Sequence, residues 1–410
     1  MTKTTRGAPR RRGAEAAAGS EAKSRALRFV VLVGVMSLFA DFTYEGMRGI
    51  AGPYLALLGA SATAVGIVSG LGELLGYGLR LVSGRLSDRT RAFWPITIVG
   101  YIVQMAAVPT LALAGSWPAA AVLIVLERVG KATRNPPRDV MLSHAAKEMG
   151  YGWAFGLHEA LDQLGALIGP LVISGVLALH GDYRLALAFL ALPAAATLAV
   201  LAAARLLYPR PEELDSSPPD VHAGGLPRQF WWYLAAATLV AAGFADFPLI
   251  AFRFNESGVV SAPDVPLLYA LAMGVSGAAS LVFGRLFDRV GLWILVPLTF
   301  VTAAFAPLVF LGDAGLVVLG IVLWGAGMGV HESIIPAAVA TMVPVARRAS
   351  AYGLFTAGYG IAWFAGSAAM GVLYDVSFPV MIGLSVALEL AAIPFLLRAR
   401  AVSARARTTP

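Results

Sequence analysis

Long apolar runs separated by short polar gaps decide what this chain can fold into. Twelve are read, near 28–58, 62–86, 94–114, 118–140, 150–180, 184–207, 230–252, 265–286, 291–311, 315–341, 350–373 and 378–399. A helix needs about 20 mostly apolar residues to cross a hydrocarbon core about 30 Å thick, and the runs meet that length. The strict two-residue alternation of a membrane β-barrel is missing. Only 13% of the residues are charged, against about 25% in a water-soluble domain. The expected class is an all-α membrane protein with twelve transmembrane helices.

Lys and Arg set the orientation, because they collect in cytoplasmic gaps. The tail before the first run carries Lys3, Arg6, Arg10, Arg11, Arg12, Lys23 and Arg25. Gaps on the same side hold Arg85, Arg89, Arg91, Lys147, Arg210, Arg228, Arg285, Arg289, Arg347 and Arg348, and the C-terminus adds Arg398, Arg400, Arg405 and Arg407. The opposite side shows only Arg184 and Arg253. Both termini are therefore expected in the cytoplasm, and the even number of spans agrees. This bias accounts for the net charge of +7, so no nucleic-acid partner is expected; the partner is the lipid bilayer. Residues 1–26 and 401–410 read as basic tails, the first disordered. No signal peptide is expected, since the first run is too long and carries Asp41, Glu45 and Arg48.

The chain repeats itself. GRLSDR at Gly84–Arg89 returns as GRLFDR at Gly284–Arg289, an offset of 200. Ala40-Asp41-Phe42 returns as Ala245-Asp246-Phe247 at an offset of 205, and Tyr151-Gly152 as Tyr352-Gly353 at 201. A nearly constant shift implies a duplicated six-helix bundle, here 27–207 and 230–400. The Pro-, Gly- and Ser-rich segment 208–229 joins the two as a cytoplasmic linker.

GRLSDRTR resembles the loop signature between the second and third helices of the major facilitator superfamily, with a weaker copy in the second half. Gly165, Gly169 and Pro170 in the fifth run are similar to the Gly-Pro motif of that superfamily's exporters, although Ile173 and Ser174 stand where glycines are common. ERVGKATRNPPRD (Glu127–Asp139) with FGLHEALDQLGALIGP (Phe155–Pro170) resembles a bacterial branch whose substrates are mostly unassigned. The resemblance covers 27–400. It implies two pseudo-symmetric bundles around a central cavity that open to alternate sides. It also implies a gating latch: Gly84, Arg85, Asp88, Arg89 and Arg91 in a tight cytoplasmic turn, with Asp88 accepting from the N-terminus of the eleventh helix. Asp288 repeats the position. A solvated turn obeying the charge bias is the simpler alternative.

Charged side chains inside a bilayer cost about 2.5–3.5 kcal/mol each on insertion scales, so they face a bundle interior. Asp41, Glu45 and Arg48 share one helical face, as do Glu73, Tyr77 and Arg80. Glu127, Lys131, Arg134 and Arg138 form a stripe on the fourth run, with Pro136-Pro137 beside it as a hinge or a helix end. The fifth carries His158, Glu159 and Asp162. The second half holds fewer: Asp246, Arg253, His331, Glu332 and Glu389. Asp41, Glu45, Glu159 and Asp162 are the expected proton-coupling or substrate groups, with Asp246 facing Asp41 across the pseudo-twofold axis. Lys131 and Arg134 would balance those acids or meet an anionic group. Arg48, Glu73 and Arg80 read rather as structural ion pairs.

His158, Asp162, His331 and Glu332 could also assemble a divalent-metal site, a reading that ranks below protons. The chain has no cysteine, no phosphate-binding G-x-x-x-x-G-K-[ST] loop and no H-E-x-x-H pair, so neither a cofactor nor an enzyme activity is expected. The expectation is a monomeric proton-coupled antiporter that exports a small solute. The alternatives are an importer or divalent-metal exporter on the same scaffold and, as a different class, a membrane receptor that moves nothing.

Overall fold

A computed structural model describes residues 8–149, 151–210, 226–331, 338–339, 342–343 and 348–408. Glu332 and most of the 208–229 linker lie outside these residues, as do the side chains of Asp88 and Asp288. Among the described residues there is no strand. The first half comprises α1 (Ala8–Leu57), α2 (Ala62–Thr90), α3 (Phe93–Thr110), α4 (Trp117–Met149), α5 (Tyr151–His180), and α6 (Tyr183–Phe189) continued by α7 (Ala191–Leu207). The second comprises α8 (Arg228–Gly243) and α9 (Phe247–Ser257), α10 (Asp264–Val290), α11 (Leu295–Thr302) and α12 (Phe305–Leu311), α13 (Ala314–Gly329), α14 (Arg348–Val376) and α15 (Phe378–Thr408).

Nine stretches of the described residues are long and apolar enough to cross a membrane. The charged α4, the shorter α13 and the glycine-rich α14 stand where the fourth, tenth and eleventh spans are expected. Helix α1 begins at Ala8, so much of the stretch expected to be disordered is helical. Ser61 caps α2 by accepting from the Ala64 N–H, and Asp313 caps α13 by accepting from Gly315 and Leu316.

The duplication is visible in packing. A Cβ on Gly165 of α5 would sit 2.1 Å from the Leu38 carbonyl oxygen of α1. In the second half a Cβ on Gly366 of α14 would sit 2.1 Å from the Ala242 carbonyl of α8. These are corresponding helix pairs, and each packs backbone to backbone because one partner lacks a side chain. Gly169, one turn beyond Gly165, is pressed against the Phe42 carbonyl in the same way, and Pro170 follows it inside α5.

The halves meet mainly along α1–α9, α2–α14 and α5–α10. At the end that carries the start of α2, Thr63 donates to Asp375 Oδ2 through its backbone N–H (2.8 Å) and its hydroxyl (2.5 Å). At the same end the Ser174 hydroxyl donates to the Pro263 carbonyl at 2.7 Å. Gly66 of α2 abuts Gly371 of α14, and Gly52 of α1 abuts Pro248 of α9. Towards the other end, where the basic Gly84–Arg91 segment lies, Gly277 and Gly284 of α10 have no described atom within 4 Å of where a Cβ would be.

Two expectations change. Gly84–Thr90 is not a tight turn but the last turns of α2. Nothing in it breaks a helix, and the chain reverses only at Arg91, which caps the helix in the left-handed region (φ 51°) with its N–H on the Ser87 carbonyl. The second copy ends alike at Gly291, φ 64°. The run 230–252 is also broken, between Gly243 and Phe247. Pro248 lacks the N–H that a continuous helix would use there, and Asp246 is left as the residue before a new helix.

A candidate substrate and ion-coupling cavity between the two halves

A cavity with about 610 Å³ of empty space lies where α1, α2 and α4 face α13 and α14. Its charged lining comes from the first half: Glu45, Arg48, Glu73, Arg80, Arg128 and Lys131. The second half offers Met328, His331 and Trp363.

Glu73 is the hub of the first layer. Its Oε1 accepts from Arg128 Nη2 at 2.7 Å and from Arg48 Nη2 at 3.2 Å. Arg48 also donates to the Tyr44 hydroxyl at 2.7 Å, and the same Nη2 stands 3.9 Å from Asp246 Oδ1 in the other half. Asp246 is held by Trp363 Nε1 (2.9 Å) and the Ser367 hydroxyl (2.6 Å), both from α14. The break in α8–α9 is what places Asp246 there. The Tyr269 hydroxyl of α10 donates to Glu45 Oε2 at 2.5 Å, a second link between the halves.

A second layer lies behind the cavity wall. Asp41 is 6% exposed; its Oδ2 lies 3.8 Å from Lys131 Nζ and its Oδ1 3.5 Å from Arg134 Nη2. Arg134 is fully buried and donates to Gln104 Oε1 (2.5 Å) and the Tyr101 hydroxyl (2.8 Å). Gln104 in turn donates to Glu127 at 2.8 Å. The close approach of α3 and α4 that permits this uses Gly100 and Gly130 face to face. Arg138 donates to Asp139 and to the Ser37 hydroxyl, which shares a 2.9 Å hydrogen bond with His158 Nε2.

The sequence-derived candidates thus separate. Glu45, Arg48 and Lys131 come together in the cavity beside Tyr44, whose ring lies 4.0 Å from Lys131 Nζ, while Asp41 and Arg134 pair with each other behind it. Asp246 does not face Asp41; it faces Arg48. Glu159 does not join the cluster, because it lies on the exposed side of α5 and accepts from Gln163 one turn on. Asp162, three residues along, is partly buried, and its Oδ1 has no hydrogen-bond partner. His331 sits among aromatic rings, 4.4 Å from the Phe244 ring and 5.6 Å from Trp363. Among the described residues no three His, Asp, Glu or Cys side chains are placed to hold a metal ion. Arg85 and Arg89 are exposed at the end of α2, and the expected latch rests on Asp88 and Asp288, whose side chains are outside the described set.

Sequence reasoning passed over Gln104, Tyr101, Tyr269 and Ser367. Gln104 had a signal, an amide in the middle of an apolar run. The others carry no formal charge and were not separable from packing residues.

Relatives agree with this architecture. The family model described as Major Facilitator Superfamily matches residues 31–367 and 233–410. An uncharacterized protein of Mycobacterium tuberculosis is 44% identical over 375 residues, covering 90% of this chain and 92% of the relative. An uncharacterized MFS-type transporter of Methanocaldococcus jannaschii is 24% identical over 360 residues, covering 85% and 89%. A multidrug resistance protein, MdtH, of Cronobacter sakazakii is 28% identical over 166 residues, 40% of each chain. Among solved structures, the nucleoside transporter NupG superposes with a TM-score of 0.71 at 14% identity, covering 90% of this chain and 98% of that one. A peptide transporter, POT, in complex with sulfate superposes with a TM-score of 0.73 at 15% identity, covering 92% and 94%. A duplicated all-helical architecture, a polar cavity between its halves and a family match over most of the sequence have one reading: this multi-pass membrane chain belongs to the major facilitator superfamily of transporters.

Proposed function

We propose that the protein is a proton-coupled secondary transporter of the bacterial cytoplasmic membrane that exports a small solute by antiport. The observation that carries the reading is Arg48, which lies between a carboxylate of its own half, Glu73, and one of the other half, Asp246. Coupling requires a group whose interactions differ between two conformations. A guanidinium shared across the sliding interface has that property, and neutralising either acid would change where it rests. Asp41 and Glu45 are the further candidates for proton exchange, Asp41 against Lys131 and Arg134, and Glu45 against Tyr269.

The arrangement of contacts supports alternating access. The Thr63–Asp375 and Ser174–Pro263 bonds close one end. Towards the other the halves meet where Gly353 of α14 comes against Leu81 of α2, and Gly277 and Gly284 of α10 have no described neighbour within 4 Å of where a Cβ would be. By the Lys and Arg bias the closed end faces away from the cytoplasm, so this conformation would load solute from inside. The partial likeness to a multidrug resistance protein favours export. The protein would act as a monomer, with protons, a small molecule and lipid as its partners.

The test is a solute screen in proteoliposomes under an imposed pH gradient, with lumenal pH recorded by a trapped dye. Wild type should exchange a solute against protons. Asp41→Asn and Asp246→Asn should each abolish gradient-driven flux; Asp246→Asn should keep solute exchange at equal pH. Gradient-driven flux at the wild-type rate in both variants would remove these acids from the coupling.

A further inference from the structure

The walls of the cavity differ in chemistry, and the difference specifies a ligand. Four cations line it, Arg48, Arg80, Arg128 and Lys131, against two carboxylates, Glu45 and Glu73. Both carboxylates are already engaged: Glu73 Oε1 accepts from two guanidiniums, and Glu45 accepts from Tyr269. Asp41, Glu127 and Asp246 lie behind the wall and are not part of its lining. The cations are less occupied. Lys131 Nζ is 3.8 Å from Asp41 Oδ2 and 4.0 Å from the Tyr44 ring, beyond hydrogen-bond distance of either. The Arg80 guanidinium lies over the face of Tyr77, at 5.6 Å. A cationic ligand would approach Glu73 beside the two guanidiniums already on its Oε1. Among the described residues, an anion would compete with the 3.8 Å Asp41 pairing of Lys131 and with the ring faces of Tyr44 and Tyr77, not with a hydrogen bond.

Opposite these donors the second half contributes Met328 and Trp363, with Tyr77 alongside. These surfaces suit a flat apolar body rather than a sugar or an inorganic ion. We infer that the cavity binds an amphipathic organic anion, its carboxylate or phosphate on Lys131 and Arg80 and its aromatic or apolar body against Trp363 and Met328.

The inference rests on this cavity being the transport site, but it is tested without a gradient. The probes are 1-naphthoate, the neutral 1-naphthamide and the cationic 1-naphthylmethylammonium, titrated calorimetrically into the full-length detergent-purified protein. Naphthoate should bind about tenfold or more tightly than the amide, the scale of one charge-assisted contact in a partly dry site, and the ammonium most weakly. Lys131→Gln should bring naphthoate down to the amide's affinity and leave the amide unaffected, and Lys131→Arg should restore the preference. Arg80→Gln, at an exposed position, should lower it in part and serves if Lys131→Gln does not fold. Naphthoate binding no tighter than the amide or ammonium, absent binding, or an equal loss for all three probes in Lys131→Gln would overturn the inference. Proton-driven flux of some other solute with no anion preference would sink this inference and leave the transport reading intact. Anion binding with no flux under any gradient would do the reverse.

Discussion

A single methyl group at Gly52 should push the halves apart at one end. An alanine Cβ there would lie 1.9 Å from the Pro248 carbonyl oxygen and 2.9 Å from the Phe252 nitrogen, both backbone atoms of α9. Carbon–oxygen contacts settle at about 3.3 Å or more, so α1 and α9 must separate by over about 1 Å at this level. A gap of about 0.5–1 Å forfeits a quarter to a half of each dispersion contact of about 0.1–0.2 kcal/mol. Over the tens of atom pairs between the two helices that is on the order of 1–3 kcal/mol, the range seen for overpacked cores. The penalty falls only on the conformation in which α1 presses on α9. The population ratio should therefore move about 5- to 150-fold towards the one in which these helices part.

The chain lacks cysteine, so Leu57→Cys with Val376→Cys gives a clean spin-label pair on exposed positions at this end, one in each half. Gly52→Ala should lengthen the distance distribution measured by pulsed EPR. Gly165→Ala is the control, since its Cβ would meet the Leu38 carbonyl at 2.1 Å within one half. It should lower the melting temperature without lengthening that distance. A Gly52→Ala protein whose distance distribution and melting temperature both match wild type would refute the close approach and the two-state argument built on it.

Asp375→Ala removes the acceptor of both Thr63 bonds; it should lengthen the same Leu57–Val376 distance, by an amount worth about 1–2 kcal/mol. Arg91→Gly should raise stability by about 0.5–1 kcal/mol, because glycine adopts the left-handed helix end without the Cβ clash; a raised melting temperature checks it. Arg134→Met leaves Asp41 with Lys131 alone and takes the donor from Gln104 Oε1 in a buried layer, so it should cost about 3–5 kcal/mol and lower folded yield, with partial recovery when combined with Asp41→Asn.

The rods of this fold were legible because bilayer thickness sets their length. The stretch 62–86 became Ala62–Thr90, and 378–399 lies within Phe378–Thr408. What hydropathy could not show was where a rod breaks. Residues 230–252 are apolar but for Thr238 and Asp246, and the break at Gly243–Phe247 falls where Pro248 has no N–H to continue the helix. The candidate site was legible as a set of costly charges but not as pairs. Asp41 and Glu45 sit one turn apart on α1, yet one reaches α4 and the other α10, because the partners depend on how the halves are rotated against each other. Glu159 and Asp162 show the converse: three residues apart on one helix, one is exposed and the other partly buried.

The uneven charge of the two halves has a mechanical consequence. Charges of the first half largely satisfy one another: Glu73 holds Arg48 and Arg128, Asp41 holds Lys131 and Arg134, and Gln104 joins Arg134 to Glu127. Asp246 has hydrogen bonds from its own half but no cation there among the described residues; the ion-pairing cation within reach is Arg48. An ionised Asp246 is therefore neutralised only while the halves stay in register, whereas a protonated one is indifferent to their separation. On the proposed proton coupling, the charge on Asp246 would bias the rigid-body equilibrium of the two halves, because the helix break leaves that acid facing the other half.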